Sequence, residues 1–358
     1  MVTTSYKPIP TLFKEEMRQF MTVEYIDKLP ILRNKKDSLY RARREEESFE
    51  CCEDILLPES LAQDWLCVKE DDFLIFVTEK SKEWLANCKK FFADGTFRIV
   101  PEPFVQLYTF HADIGSTADH TRVLPCIYVL LPNKQQETYE KMFKSFQQNI
   151  PGFQPDELKV DFEKAAINAF RKLYPLAKIT GCYFHFSQAL YNNAEKFNIL
   201  SRREGCTYVA KCAALAHLPA VKIHEGWIEI SSDMPQMPGI KNFNEYMSSQ
   251  WVQIEMIHIV SCFKQRHRTN NVTESWHKKI NNIIRKNSNI LLVLSELKDE
   301  AQAVDFQELQ NDVRPDVFRK RAKKYIAMDM KIDNIVNNFL LGKYDIKKTI
   351  LLLACLKY

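Results

Sequence analysis

The pattern of apolar and polar positions predicts a β-rich region in the first half of the chain. Three runs rich in β-branched and aromatic residues lie at 91–100, 104–110 and 123–131, separated by clusters of Pro, Gly, Asp and Ser. Such runs between turn-forming clusters predict an antiparallel meander of three strands. A shorter β-rich run at 72–78 and a helix at 80–90 precede the meander.

The pattern changes to a helical period after the meander. Over 137–149, apolar residues recur every three to four positions and predict a helix with one apolar face. The elements predicted beyond it are a strand at 158–160, a helix around 165–174, a strand at 178–183 and helices at 185–198, 272–285 and 291–309, with 200–262 mainly helical. Three antiparallel strands followed by alternating helices and strands predict an α/β fold with a mixed sheet.

Composition excludes two common kinds of phosphate-binding loop. The 358 residues include only eight glycines, and these form neither a G-x-G-x-x-G motif nor the glycine spacing of a Walker-A loop. The formal net charge of +4 indicates little by itself about partners.

Cysteine usage and hydropathy favour a reduced, intracellular, soluble protein. The ten cysteines are scattered along a long chain, as expected for small buried apolar residues. No apolar run follows Met1, so no signal peptide is predicted. The longest apolar stretch, at 350–356, is far shorter than the ~20 residues that span a bilayer.

Three acidic residues stand at positions that favour metal chemistry. Asp94 lies inside an apolar strand, Asp161 lies at the end of the fourth predicted strand, and Glu274 lies on a late helix. Taken singly, they could start a turn, cap a helix, or pair with Lys278 four residues on. Taken together, two carboxylates from strand ends and a third from a helix can hold two divalent cations about 4 Å apart. Carboxylate oxygens suit Mg²⁺ or Mn²⁺.

Basic residues surround the last of these acids. Residues 264–286 contain one acidic residue, Glu274, and seven basic ones, which predicts either a solvated face or a groove for a nucleic-acid backbone. Trp276 could stack on an unpaired base, or anchor its helix in the core. A charged lead-in segment at 33–47 and a second basic stretch at 314–324 add to the pattern. The candidate DNA-binding residues are Lys264, Arg266, Arg268, Trp276, Lys278, Lys279, Arg285 and Lys286.

Four segments resemble Mutator-like element (MULE) transposases in order and spacing. They are Ala-Asp-Gly-Thr-Phe at 93–97, Leu-Leu-Pro-Asn-Lys at 130–134, Gly-Cys-Tyr-Phe-His-Phe-Ser-Gln at 181–188 and Arg-Thr-Asn-Asn-Val-Thr-Glu-Ser-Trp-His at 268–277. The resemblance covers about residues 85–300. It implies an RNase H-like mixed sheet with a DDE metal site, interrupted by a helical insertion before the glutamate. The catalytic and metal-binding residues then fall on Asp94, Asp161 and Glu274.

The resemblance also implies an activity and partners. A transposase of this kind is a nuclear enzyme that uses two Mg²⁺ or Mn²⁺ ions to hydrolyse phosphodiesters at terminal inverted repeats. It joins the freed 3′-OH to target DNA, and is expected to act as a homo-oligomer on DNA. The alternative is a domesticated or inactive transposase-derived nuclear protein that binds DNA, or another partner, without cutting.

Several polar residues are expected close to the metals. Cys182 and His185 form a C-x-x-H pair that resembles a signature of the family, and we expect them, with Gln188 and His277, to surround the acids. His277 could orient Glu274 or contact a phosphate. A zinc site that also uses Cys206, Cys212 and His217 is an alternative, although its spacing matches no zinc finger. Asn270 and Asn271 are interpreted as helix caps.

The resemblance divides the chain into five segments. They are an N-terminal accessory region (1–84), the first part of the catalytic core (85–199), a helical insertion (200–262), the last part of the core with the glutamate helix (263–310) and a basic helical tail (311–358). The Cys and His spacing of a FLYWCH module, which animal relatives often carry, does not occur before the core. The abrupt apolar ending is interpreted as a truncation. We therefore expect a fragment, a domesticated derivative, or a relative that recognises DNA otherwise.

Overall fold

The computed structural model describes residues 9–18, 35, 38–39, 55–286, 288–313 and 320–356. Two charged segments of the sequence are described only in part. Most of the charged segment 33–47, and residues 314–319 of the second basic stretch, lie outside the described residues.

A seven-stranded mixed sheet organises the first half of the chain. Its spatial order is β1-β2-β5-β4-β3-β6-β7. Neighbouring strands run antiparallel from β1 through to β3, whereas β3, β6 and β7 run parallel. The strands are β1 (Leu66–Lys69), β2 (Leu74–Phe76), β3 (Lys90–Thr96), β4 (Gln106–Asp113), β5 (Val123–Leu131), β6 (Glu157–Val160) and β7 (Lys178–Gly181).

Helices fill the connections and most of the second half of the chain. Those that the structure describes are α1 (Ile9–Arg18), α2 (Glu59–Ala62), α3 (Glu79–Asn87), α4 (Gln136–Asn149), α5 (Lys164–Leu173), α6 (Tyr183–Lys196), α7 (Arg203–Ala214), α8 (Ala220–Ser232), α9 (Ile240–Gln250), α10 (Ile254–Val260), α11 (Asn271–Ile283), α12 (Ile290–Val313), α13 (Lys323–Leu340) and α14 (Ile346–Ala354).

The predicted α/β class and mixed sheet are confirmed, although β3 ends at Thr96 instead of continuing to 100 and β4 spans 106–113 instead of 104–110. The four-residue strand β1 was not predicted, because so short a run carries little periodicity. Strand β7 ends at Gly181 instead of continuing to 183, and α6 starts at Tyr183. A Cβ atom on Gly181 would lie 2.3 Å from the ring of Phe162, so the chain passes this ring at a distance that only glycine permits.

One face of the sheet packs against α4 and α5. Its core is rich in aromatic side chains, and Phe110 contacts Phe146 and Phe153 at ring-centroid distances of 5.1 and 5.7 Å. Alternate residues of the same strands point to the opposite face. The apolar and aromatic runs that predicted the strands therefore supply the side chains of this core.

The opposite face combines an apolar part with a polar centre. Leu74, Tyr128 and Leu130 pack there with Trp276 and Ile280 of α11 and with α12. Towards β3 and β6, the same face carries buried polar side chains on neighbouring strands, namely Asp94, Thr96, Thr109, His111 and Lys159. Polar groups are rarely buried without partners, so this centre marks a candidate site.

A second hydrophobic cluster joins α6–α10 to α13 and α14. It includes Leu190, Val209, Phe243 and Ile332. The mainly helical pattern predicted for 200–262 is confirmed by α7 to α10. Among the described residues, no helix is long and apolar enough to cross a bilayer, and eight cysteines are free thiols.

Candidate metal centre

Asp94 lies near the carboxyl end of the central strand β3 with only 8% of its surface exposed. The backbone N–H of Gly95 donates a hydrogen bond of 2.9 Å to its Oδ1 atom. Its Oδ2 atom lies 3.5 Å from Nδ1 of His277 on α11. Both carboxylate oxygens are therefore oriented by the protein.

Asp161 follows β6 directly, beside Asp94. Phe92 of β3 pairs with Lys159 of β6, and continuing this parallel register by two residues places Asp94 level with Asp161. Adjacent strands are separated by about 4.8 Å, so the two carboxylates start from neighbouring backbone positions. Burial, with smaller effects of the Asp94 and Glu163 charges, raises the pKa of Asp161 to about 6.

Glu274 lies in the first turn of α11, one turn before His277, with 31% of its side chain exposed. Its Oε1 atom lies 3.7 Å from Nε2 of His185 and accepts no hydrogen bond among the described residues. Burial is the main cause of a raised Glu274 pKa; the Asp94 charge adds to the shift and His185 opposes it. The Asp94 charge therefore contributes to the raised pKa of both Asp161 and Glu274.

Cys182 and His185 lie at the same place, at the start of α6. One donor atom from each of Cys182, His185 and Glu274 lies within 4.8 Å of the others. The Asn270 N–H donates to the Cys182 sulfur at 3.2 Å. The His185 pKa rises to about 9, first through its interaction with the Cys182 side chain and further through Asp94 and Glu274. His185 is therefore a cation near neutral pH, facing acids.

The further ligands considered for a zinc site, Cys206, Cys212 and His217, do not join Cys182 and His185. Within the described parts of the chain, the only group of three donors close enough to share a metal is Cys182, His185 and Glu274. His217 instead places Nδ1 3.3 Å from the sulfur of Cys262, and burial lowers the pKa of His217 to about 3. Cys206 is exposed and Cys212 is buried in the helical cluster.

His277 contacts a different acid from the one considered in the sequence. It lies beside Asp94 through Nδ1, and its Nε2 atom lies 2.9 Å from the hydroxyl of Thr109 on β4. That hydroxyl also lies 3.2 Å from Nε2 of His111. We call this row of side chains the β4 relay: Asp94, His277, Thr109 and His111. Thr109 and His111 were not predicted as site residues, although two polar residues at alternate positions of an apolar strand were a signal for them.

Polar contacts fasten α11 to β3 around Glu274. Asn270 is the residue before the helix, but its side chain does not cap it: the amide Nδ2 donates to the Ala93 carbonyl at 3.2 Å. At the other end, Nδ2 of Asn281 donates to the Thr96 hydroxyl at 3.2 Å. Asn270 therefore occupies the predicted N-cap position but makes no capping hydrogen bond with its side chain, whereas Asn271 is the first residue of the helix.

Three of the candidate DNA-binding residues already make polar contacts within the protein. Arg268 forms an ion pair with Asp329, and Lys279 forms one of 2.6 Å with Glu300. Arg266 donates to the Ser116 carbonyl. Gln188 is exposed one turn beyond His185 on α6. The exposed basic residues of the set are Lys264, Arg266, Lys278, Lys279, Arg285 and Lys286.

Trp276 is the one member of the set whose side chain is in the core. It is 8% exposed, and its ring packs against His111 and Tyr128 at centroid distances of 5.5 and 5.6 Å. A base cannot stack on a ring enclosed in this way. The interpretation of Trp276 as a stacking residue is therefore wrong, and its alternative as a core anchor is correct.

Comparison with known families supports the resemblance noted in the sequence. Residues 91–189 match the family model of the MULE transposase domain. The match includes Asp94, Asp161, Cys182 and His185, whereas Glu274 and His277 lie beyond it. No curated protein matches the chain significantly. This match supports the interpretation of the chain as a MULE transposase domain protein and confirms the resemblance seen in the sequence.

Proposed function

We propose that this chain is a MULE-type transposase, or a protein derived from one, that cleaves and joins DNA strands with divalent metal ions. The observation that carries the proposal is the position of Asp94: the β3–β6 register places Asp161 beside it, and α11, the helix that carries Glu274, contacts it through His277. These are the three positions onto which the family's acids fall. A transposase-related function follows from the family match, and the reaction and its residues are our proposal.

The donor set fits hard divalent cations. Carboxylate oxygens are the ligands that Mg²⁺ and Mn²⁺ prefer, and two such ions about 4 Å apart suit a cluster of three acids. Burial raises the pKa of Asp161, and Oε1 of Glu274 accepts no hydrogen bond among the described residues, so both carboxylates would be stabilised by a nearby cation. Asp94, Asp161 and Glu274 would hold the ions. When bound, the ions supply electrostatic stabilisation of the attacking and leaving oxygens.

The residues around the acids position them and balance their charge. His277 holds Asp94 from one side, and the Gly95 N–H holds it from the other. His185 carries positive charge beside Glu274, which reduces repulsion among the acids before metal binds. Cys182, which accepts from the Asn270 N–H, links the start of α6 to the start of α11.

The topology supports an RNase H-like core. The three antiparallel strands β5, β4 and β3 are followed across the sheet by the parallel strands β6 and β7. Helices α7–α10 then occupy the place of the insertion, and α11 follows with Glu274. We therefore keep the proposed division into 1–84, 85–199, 200–262, 263–310 and 311–358.

DNA is the partner that the charge distribution favours. The exposed basic residues of 264–286 lie on the segments immediately before and after Glu274, where a phosphate backbone would reach the acids. We propose terminal inverted repeats and target DNA as substrates, a homo-oligomer on DNA as the active form, and the nucleus as its place of action.

The test is metal-dependent cleavage of labelled duplexes. We expect wild-type protein to cut terminal-repeat DNA with Mg²⁺ or Mn²⁺ and not with EDTA. Asp94→Ala and Asp161→Ala should abolish cutting while DNA binding persists, because each loses a metal ligand and also a negative charge facing phosphate. Asp156→Ala is the matched control, because Asp156 is exposed just before β6.

Two outcomes would contradict the proposal. Unchanged cleavage by Asp161→Ala would refute the assignment of the acids. Wild-type protein that binds the duplex but leaves it intact with either metal would favour the alternative, a domesticated DNA-binding protein.

A further inference from the structure

Phe97 is an exposed aromatic residue at the end of the strand that carries Asp94. It is the first residue after β3, three positions beyond Asp94, and 48% of its surface is exposed. Phenylalanine is usually buried, because its ring is a large apolar surface. At about 3.3 Å per residue, Phe97 lies about 10 Å along the chain from Asp94. The ring lies next to Gly95, on the face of β3 opposite to Asp94, so a molecule that extends from the acids around the end of β3 would meet it.

The ring is held in position by a cation. The ammonium group of Lys134 lies 3.8 Å from the Phe97 ring centroid, close enough for a cation–π interaction. Lys134 is in turn 3.8 Å from a carboxylate oxygen of Glu163, which accepts a 2.8 Å hydrogen bond from the Tyr139 hydroxyl. Phe97 is therefore exposed but connected to the sheet and α4 through a short chain of contacts.

A shallow basic depression adjoins the ring. It is lined by Gly95, Thr96, Phe97, Arg98 and Lys286, which come from the end of β3 and the segment after α11. Arg98 and Lys286 are both exposed. Two cations beside an aromatic ring match the needs of a nucleotide, whose base has a flat apolar face and whose phosphate is an anion.

We propose that Phe97 stacks on a nucleobase close to the cleaved phosphodiester, while Arg98 and Lys286 contact the flanking phosphates. This inference rests on the proposed function, because it places the DNA strand end at the acids. A distance of about 10 Å corresponds to about three nucleotide steps of 3.4 Å in a B-form strand. The stacked base therefore belongs to the first few nucleotides on one side of the cut, and an unpaired base fits best because only an unstacked face is free.

Fluorescence of a base analogue tests the stacking without requiring cleavage. A duplex with a short single-stranded end carries 2-aminopurine at one of the first three unpaired positions, and the full chain is titrated into it in EDTA. We expect wild-type protein to change the 2-aminopurine emission at one of these positions. Phe97→Ala should lose that change and weaken binding by about 5- to 150-fold, since stacking on one base has an effect of this size.

Two further variants separate stacking from general damage. Phe97→Trp keeps a flat aromatic face and should retain both the emission change and the affinity. Phe306→Ala is the matched control, since Phe306 is 62% exposed on α12. It should bind like wild-type protein.

The outcomes distinguish this inference from the proposed function. If wild-type protein cuts DNA with Mg²⁺ but Phe97→Ala gives the same emission and affinity as wild type, the stacking site is wrong and the transposase function stands. If emission depends on Phe97 but no cleavage occurs with either metal, the stacking site stands and the cutting activity is wrong. A protein partner at Phe97 would leave the emission unchanged at all three positions, and this result also overturns the inference.

Discussion

The β4 relay gives the sharpest test of how the metal centre is organised. Thr109 is fully buried, and its hydroxyl lies between Nε2 of His277 and Nε2 of His111. Thr109→Val keeps the shape of the side chain but removes the hydroxyl. Both imidazole nitrogens then lose their partner, and His277 loses the contact that fixes its ring opposite Asp94.

Thr109→Val should have two separate effects, one on stability and one on metal binding. Each buried polar group left without a partner costs about 1–3 kcal/mol, so Thr109→Val should lower the free energy of unfolding by about 2–6 kcal/mol. Replacing a residue that orients a metal ligand typically lowers metal affinity or activity by about 10- to 100-fold. We therefore expect Thr109→Val to bind Mn²⁺ more weakly by this factor and to cut DNA correspondingly more slowly.

Two variants make the measurement specific. Thr349→Val removes a buried hydroxyl on α14, where Thr349 donates to the Asp345 carbonyl at 2.7 Å, far along the chain from the acids. It should lose stability in urea without changing Mn²⁺ affinity by calorimetry. Thr109→Ser keeps the hydroxyl and should restore both properties. If Thr109→Val is destabilised but binds Mn²⁺ and cuts like wild-type protein, the relay does not orient Asp94.

Three further predictions follow from other contacts. Gly181→Ala should lower stability by about 1–3 kcal/mol and slow cleavage, because its Cβ would displace the ring of Phe162 next to Asp161; unaltered urea curves would contradict this. Burial lowers the pKa of His217 to about 3 in the folded state, whereas in the unfolded state this histidine takes up a proton once the pH falls below about 6.5. The free energy of unfolding of wild-type protein should therefore fall by about 2 kcal/mol between pH 7 and 5, and His217→Phe should not show this loss. Lys278→Ala should make the plot of log affinity against log salt shallower by about 0.9, and Lys279→Ala by less because Lys279 pairs with Glu300; equal slopes for both variants would contradict the distinction.

Strand pattern and the spacing of the acids carried most of what could be predicted. Strand β5 occupies 123–131, the predicted range, because its nine residues are almost continuously apolar. The parallel placement of β3 and β6 then aligns Asp94 with Asp161, as their positions at strand ends suggested. These features depend on local pattern and on the general geometry of sheets.

Contacts between side chains that are far apart in the sequence could not be predicted from local pattern. Helical spacing placed His277 and Glu274 on one side of α11, but the sheet residue opposite His277 is Thr109, 168 positions earlier. The same spacing could not decide whether Trp276 faces solvent or the core, since this depends on how α11 rotates against β4 and β5. Phe97 is the last residue of the family-like segment at 93–97, but the sequence did not predict that its ring is exposed beside Lys134.

The position of Glu274 has a cause that does not involve metal. Asn270, His277 and Asn281 contact Ala93, Asp94 and Thr96 in turn, so one face of α11 follows the last four residues of β3. Glu274 comes four residues after Asn270 and three before His277, and residues at these spacings share a helical face. The contacts that fasten α11 to β3 therefore also direct the third acid towards the other two. Interactions with Cys182, Asp94 and Glu274 raise the pKa of His185 to about 9, so His185 places a positive charge 3.7 Å from Glu274 and offsets part of the repulsion between the acids.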